Sequence, residues 1–166
     1  QGAGSETPGT SGQLVALAEH KKGVGSGETG LDYFYAHSPR EAQQKNFRAN
    51  IEAARLSQLP LIVHARDADE DTADILEDEM EKGAYPGLIH CFTAGPELAQ
   101  RALDIGFYIS ISGIATFNSA KTLRETIAEI PLERLLVETD APFLAPVPHP
   151  GNRNEPAFLA DTARRS

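Results

Sequence analysis

Residues 59–64 read LPLIVH, a short apolar run with two β-branched residues that closes on a histidine, and its character decides how the rest of the chain is parsed. Such a run, bounded by polar residues, has the length of a buried strand and is too short for a buried helix. Three runs of the same kind follow: GLIHCF at 87–92, FYISIS at 107–112 and LLVET at 135–139. A fifth, VGSGE at 24–28, is weaker because it is nearly all Gly and Ser. Helical signals fill the spaces between. Ser38, Pro39 and Glu41 predict a capping box with proline at the first helical position, followed by Phe47, Ile51 and Ala54 along one face. Asp67 with Glu70 predicts a second box, and Lys82-Gly83 the matching stop. Gly95-Pro96 opens a third helix with Leu98, Ala102 and Ile105 inward, and Asn118 caps a fourth with Leu123, Ile127 and Ile130 inward.

Strand and helix thus alternate at roughly 25-residue intervals, the pattern of parallel βα units in a (β/α)8 barrel of about 250 residues. A chain of 166 residues holds only part of such a barrel. The predicted fold class is therefore α/β, of the TIM-barrel type but incomplete. The first 12 residues, QGAGSETPGTSG, carry no large apolar side chain and read as a flexible lead, leaving 13–166 as one domain.

Composition narrows the function. With 15 Lys+Arg against 24 Asp+Glu, the formal net charge of −9 argues against an electropositive surface that grips a long nucleic-acid duplex, so any phosphate chemistry is local. No apolar run approaches the roughly 18–20 residues of a membrane helix, and no charged-then-apolar signal segment opens the chain. The single cysteine, Cys91, forms no intramolecular disulfide, and a reducing compartment, the cytoplasm, is expected.

In parallel βα architectures functional groups collect at the carboxyl ends of strands. Glu28 ends the first strand-like run, His64 the second, His90 lies near the end of the third, and Asp140 follows the last. Each residue taken singly has a blander reading, since a strand-end histidine is more often structural and an Asp before Ala-Pro is more often a turn former. Their equivalent topological positions favour a shared metal site. Imidazole nitrogen with carboxylate oxygen suits Zn, Mn or Mg, which activate water and neutralise phosphate.

The strings GETGLDYFYAHSPREAQ, LPLIVHARDA, HCFTAGPELA, GFYISISGIATF, PLERLLVETDAPFLAP and GNRNEP occur in that order. Together they resemble the TatD family of metal-dependent deoxyribonucleases, over about residues 14–162. The resemblance implies one or two divalent ions (Zn, Mn, Mg or Ni) and DNA as substrate. It makes Glu28 a carboxylate bridging two cations, places His64 and His90 on the second, and makes Asp140 both a ligand of the first and the base for the attacking water. Glu28 and Asp140 are then the catalytic pair. Arg66, two residues after His64 on the same strand side, is assigned to phosphate contact, with a salt bridge to a loop acid as the alternative. Arg153 either approaches substrate or holds its loop through Glu155, the second reading being preferred.

Milder expectations attach to other residues. Glu138 supports Asp140 by hydrogen bonding, and Cys91, opposite in parity to His90, points to the covering helices. His149 has a place near the site, His20 and His37 lie on the surface, and Tyr33 and Tyr35 pack their loop or stack on a base. Complete members of the family begin with an H-x-H strand that this sequence lacks, and the second family strand is not recognisable either. For the chain as given, the resemblance then implies weakened metal affinity and open parallel edges prone to self-association, with no stable protein partner and no membrane. Two alternatives stand beside the nuclease: a remnant with weak or no activity, and a related metallohydrolase acting on another ester or an amide.

Overall fold

The computed structural model describes residues 11–18, 20–35 and 37–165. A short helix α1 (Ser11–Ala18) is followed by β1 (Ser26–Asp32), α2 (Arg40–Ser57), β2 (Leu61–Arg66), α3 (Asp69–Glu81), β3 (Gly87–Ile89), α4 (Pro96–Asp104), β4 (Tyr108–Ile111), α5 (Lys121–Ala128), β5 (Leu135–Val137) and α6 (Leu159–Arg165). All five strands pair in parallel in the order β1-β2-β3-β4-β5. The order of strands in space is the order in sequence, as in a stretch of barrel wall. Among the described residues β1 and β5 are edges and the sheet does not close. Of the expected lead, Ser11 and Gly12 begin α1, and residues 1–10 lie outside the described residues.

Alternation along β2 shows how the layers arise. Leu61 and Val63 are fully buried against helices, while Ile62, His64 and Arg66 face the other way and are only partly covered. The helix-facing side meets Phe47, Ile51 and Ala54 of α2, Ile75 and Leu76 of α3, and Ala99 and Ala102 of α4 in one continuous core. Each fully buried Phe or Ile contributes about 1.5–3 kcal/mol of transfer free energy, so this layer holds the fold. Ion pairs seal it. Glu79 of α3, almost fully buried, receives Arg48 (2.9 Å) and Arg55 (3.3 Å) from α2 and Lys82 (2.6 Å) from its own helix end. Arg101 of α4 ties to Glu77 and Asp74 of α3.

Several local expectations need correction. β1 begins at Ser26 and runs on to Asp32, so Glu28 lies inside the strand, at an irregularity where the ladder to β2 shifts between Ser26 and Thr29. Past that irregularity the backbones crowd: a side chain on Gly30 would place its Cβ 2.0 Å from the His64 carbonyl oxygen, so only glycine fits. Neither α2 nor α3 begins at the cap the sequence predicts. Pro39, extended at ψ 141°, takes the N-cap position of α2, and Gln43 closes the entry instead, its side chain bonding to both backbone groups of Asp32 and to the Ser38 carbonyl. At α3 the N-cap is Ala68, because Asp67 turns into the left-handed region (φ 52°). Asn118 likewise precedes the α5 cap, which is Ala120. The Gly95-Pro96 start and the Lys82-Gly83 stop occur as expected.

Candidate metal centre

Strands β1, β2, β3 and the residues after β5 bring four side chains together on the face away from the helices. Glu28 Oε1 lies 2.9 Å from His64 Nδ1 and 3.8 Å from His90 Nε2. Asp140 Oδ1 is 3.6 Å from the same His90 nitrogen. All four line one open cavity of about 700 Å³.

Each imidazole is gripped from behind by a second carboxylate. The buried Asp32 sets Oδ2 3.3 Å from His64 Nε2, leaving Nδ1 for Glu28. Glu138 sets Oε1 2.7 Å from His90 Nδ1, leaving Nε2 for Glu28 and Asp140. Glu138 Oε1 is buried and has no other partner among the described residues. A protonated Nδ1 is what satisfies it. Carboxylates behind the ring are how proteins fix the tautomer and orientation of metal-binding histidines.

Charge in the site is unevenly resolved. Contact with His64 holds the Glu28 carboxyl below its usual range. Burial pushes Glu138 up, but His90 and Ser110 more than offset it and hold it low. The Glu138 contact in turn raises His90. Asp140 goes the other way: burial raises its carboxyl, and Glu138 and Glu28 add to that while His90 opposes it. An acid pushed toward its protonated form among other acids is in an environment that a divalent cation would relieve.

The residues present fit such an ion. Two donors about 2.1 Å from one small divalent cation stand roughly 3.0 Å apart at a right angle and roughly 3.4 Å apart at the tetrahedral angle. The separations of 2.9, 3.6 and 3.8 Å bracket those values. Glu138 is also within 4.8 Å of His90 and Asp140. It approaches the imidazole nitrogen opposite the one that faces Glu28 and Asp140.

The ends of the strands are bent to achieve this. Asp67, Cys91 and Asp140 all have left-handed backbones, with φ of 52°, 44° and 56°, a conformation that costs non-glycine residues energy and clusters at functional sites. The bend at Cys91 overturns the parity expectation. β3 stops at Ile89, so Cys91 does not join the helix-facing core; it lines the cavity and lies 3.1 Å from Ser112 Oγ. Burial pushes its thiol up to about 12, which makes it a poor nucleophile.

Arg66 lines the cavity with its guanidinium 4.2 Å over the Phe34 ring and 4.7 Å over Tyr35. Arg153 stays outside, exposed, with no bond to Glu155. The buried Asn154 holds that loop instead, donating to the carbonyls of Thr139 and Phe143 at 2.7 Å each. His149 is likewise drawn off: it stacks on Phe158 at 3.9 Å and pairs with Asp161. His37, expected as a plain surface residue, lines the cavity beside Tyr35. Tyr33 packs its loop, under Arg40 and hydrogen-bonded to Asp71. The sequence reading misses Asp32 as a site residue, although strand parity puts residues 28 and 32 on one side.

A family model described as TatD related DNase matches residues 4–165. The chain belongs to this family. It is 49% identical over 150 residues to the metal-dependent hydrolase YcfH of Escherichia coli strain K12, covering 90% of this chain and 56% of that one. To the 3'-5' ssDNA/RNA exonuclease TatD of Salmonella typhimurium it is 36% identical, covering 96% and 63%. The crystal structure of YjjV, a TatD homolog of Escherichia coli K12, superposes with a TM-score of 0.78 at 30% identity over 92% of this chain and 61% of that one. The five-stranded wall is thus a partial TatD barrel. This chain spans little more than half the length of the curated relatives it matches.

Proposed function

We propose that this chain carries the metal-binding face of a hydrolase that cleaves phosphodiester bonds of DNA. The observation that carries the reading is the convergence of Glu28, His64, His90 and Asp140 in one cavity, with both imidazoles backed by carboxylates. One or two divalent ions, of the Zn, Mn, Mg or Ni type, would supply a water acidified toward neutral pH and a counter-charge for phosphate. Glu28 and the inward nitrogens of His64 and His90 hold the charge, with Asp140 closing the set. Asp140 is also the group whose carboxyl is displaced toward neutrality, which suits a proton acceptor in water attack. Arg66 offers the only arginine or lysine among the described lining residues, and so the contact to a phosphate oxygen. Arg153 stands exposed on the loop after β5, available to a longer strand. With a net charge of −9, recognition depends on these few groups rather than on a basic surface.

The test is release of nucleotides from a single-stranded DNA oligomer by chelator-stripped protein reloaded separately with Mg, Mn, Zn or Ni. Release that requires metal and disappears in a folded Asp140→Asn protein supports the reading. Turnover of amide or ester substrates with no DNA cleavage under any metal would assign the site to another hydrolase. No measurable metal uptake would sink both.

A further inference from the structure

Phe143 is the most exposed aromatic side chain among the described residues. It leaves its ring 69% exposed, three residues after Asp140, on the wall of the same cavity. The ring makes no aromatic or cation–π contact with the described residues. Yet its backbone is locked. The Phe143 N–H donates to the Asp140 carbonyl at 2.9 Å, and its carbonyl accepts from buried Asn154. The following Leu144 carbonyl lies against Gly113, where a Cβ would come within 2.0 Å. An apolar ring carried into solvent on a fixed backbone beside reactive groups contributes little to folding, and the backbone has no ordering left to lose on binding. Elsewhere on the cavity rim Tyr35 and His37 stack nearly parallel, 7° apart, and Tyr35 is half exposed. Arg66 is the cation among these lining residues.

We propose that Phe143 is a nucleobase platform, receiving one unpaired base by stacking while Arg66 meets the phosphate, with Tyr35 and His37 as a second stacking surface on the rim. This rests on the phosphodiesterase reading and deepens it by naming the side chain that meets the base, beyond the groups that meet the phosphate. Stacking suits an acidic protein, because every base offers a π-face and the attraction survives salt that abolishes phosphate contacts.

The experiment compares a fluorescent dT oligomer with an abasic oligomer of equal length, which has the same phosphates and no bases. Anisotropy in chelator, where nothing is cleaved, gives Kd; KM and kcat are read separately with metal. The parent protein is expected to bind dT about 10-fold more tightly than the abasic strand, and Phe143→Ala to remove most of that preference. Phe143→Tyr should keep it. Phe143→Leu, apolar without a ring, should lose it as alanine does. KM for dT should rise about 10-fold in Phe143→Ala, with much less change in kcat. Retention of the preference in Phe143→Ala, its retention in Phe143→Leu, or equal weakening toward both oligomers would each overturn the assignment. If the parent cleaves nothing but the anisotropy pattern holds, the platform stands and the hydrolase reading fails. Cleavage with no Phe143 effect leaves the hydrolase reading standing and removes the platform.

Discussion

The two faces of the sheet handle ionisable groups in opposite ways. On the helix side Glu79 is almost fully buried, yet three cations surround it and its charge is matched within the fold. On the open side Glu28, Glu138 and Asp140 share two imidazoles, and among the described residues no lysine or arginine pairs with any of them. One face is settled by its own chain. The other is acid-rich and incompletely compensated, an environment completed by a ligand rather than by folding. Removing a charge from each side should therefore have opposite consequences for stability.

The largest effect is expected at Asp140. Asp140→Asn should lower metal-dependent phosphodiester hydrolysis by about a thousandfold, the scale of a lost proton acceptor. Stability should hold or rise. A carboxyl whose folded pKa is raised is ionised less readily in the fold than in the unfolded chain, so at neutral pH its charge opposes folding. Thermal unfolding of the metal-free proteins checks this, and a clear loss of stability would place Asp140 among the settled charges after all.

Next in size are the two carboxylates behind the imidazoles. Glu138→Gln should weaken metal binding about 10- to 100-fold, measured by calorimetry, because it replaces the charged acceptor that fixes His90 with a neutral amide. Asp32→Asn should cost less, on the order of a few-fold. Its contact with His64 is longer, 3.3 Å against 2.7 Å, and its other oxygen is committed to the Tyr35 N–H. Equal losses would show that the closeness of the contact is not what matters.

How much of the molecule is legible in its sequence differs between the faces in the same way. The helix face follows from periodicity, since Phe47, Ile51 and Ala54 are spaced by the helix repeat and are buried where that spacing puts them. Strands β2 to β5 begin within two residues of the runs that predict them. On the open face, His64, His90 and Asp140 are legible at or near strand ends, whereas Glu28, read as closing its run, lies inside β1. The orienting Asp32 is not, because the weak Gly-Ser run hides the true extent of β1. Cys91 and His149 depart from expectation for another reason: a left-handed turn and a ring stack redirect side chains in ways that parity and loop position do not encode.

The smallest expected effect lies on the settled face, and it returns the comparison to pH. Burial pushes the Glu79 carboxyl up, but Lys82, Arg48 and Arg55 outweigh it and hold it below the ordinary value of 4.5. A depressed folded pKa stabilises above the unfolded value, and that stability is lost as pH falls through the folded one. Two of the three cations are more than a third exposed, which screens their share. Glu79→Gln should thus cost about 1–2 kcal/mol at pH 7, a drop of roughly 3–6 °C in Tm. The gap to the parent protein should stay constant down to about pH 5 and narrow as pH falls from there through the depressed folded value. Hydrolysis at a temperature where both proteins are folded should match, because Glu79 lies on the opposite side of the sheet from the cavity. A gap that widened in acid would mean that Glu79 is held protonated, and the two faces would then handle their acids alike.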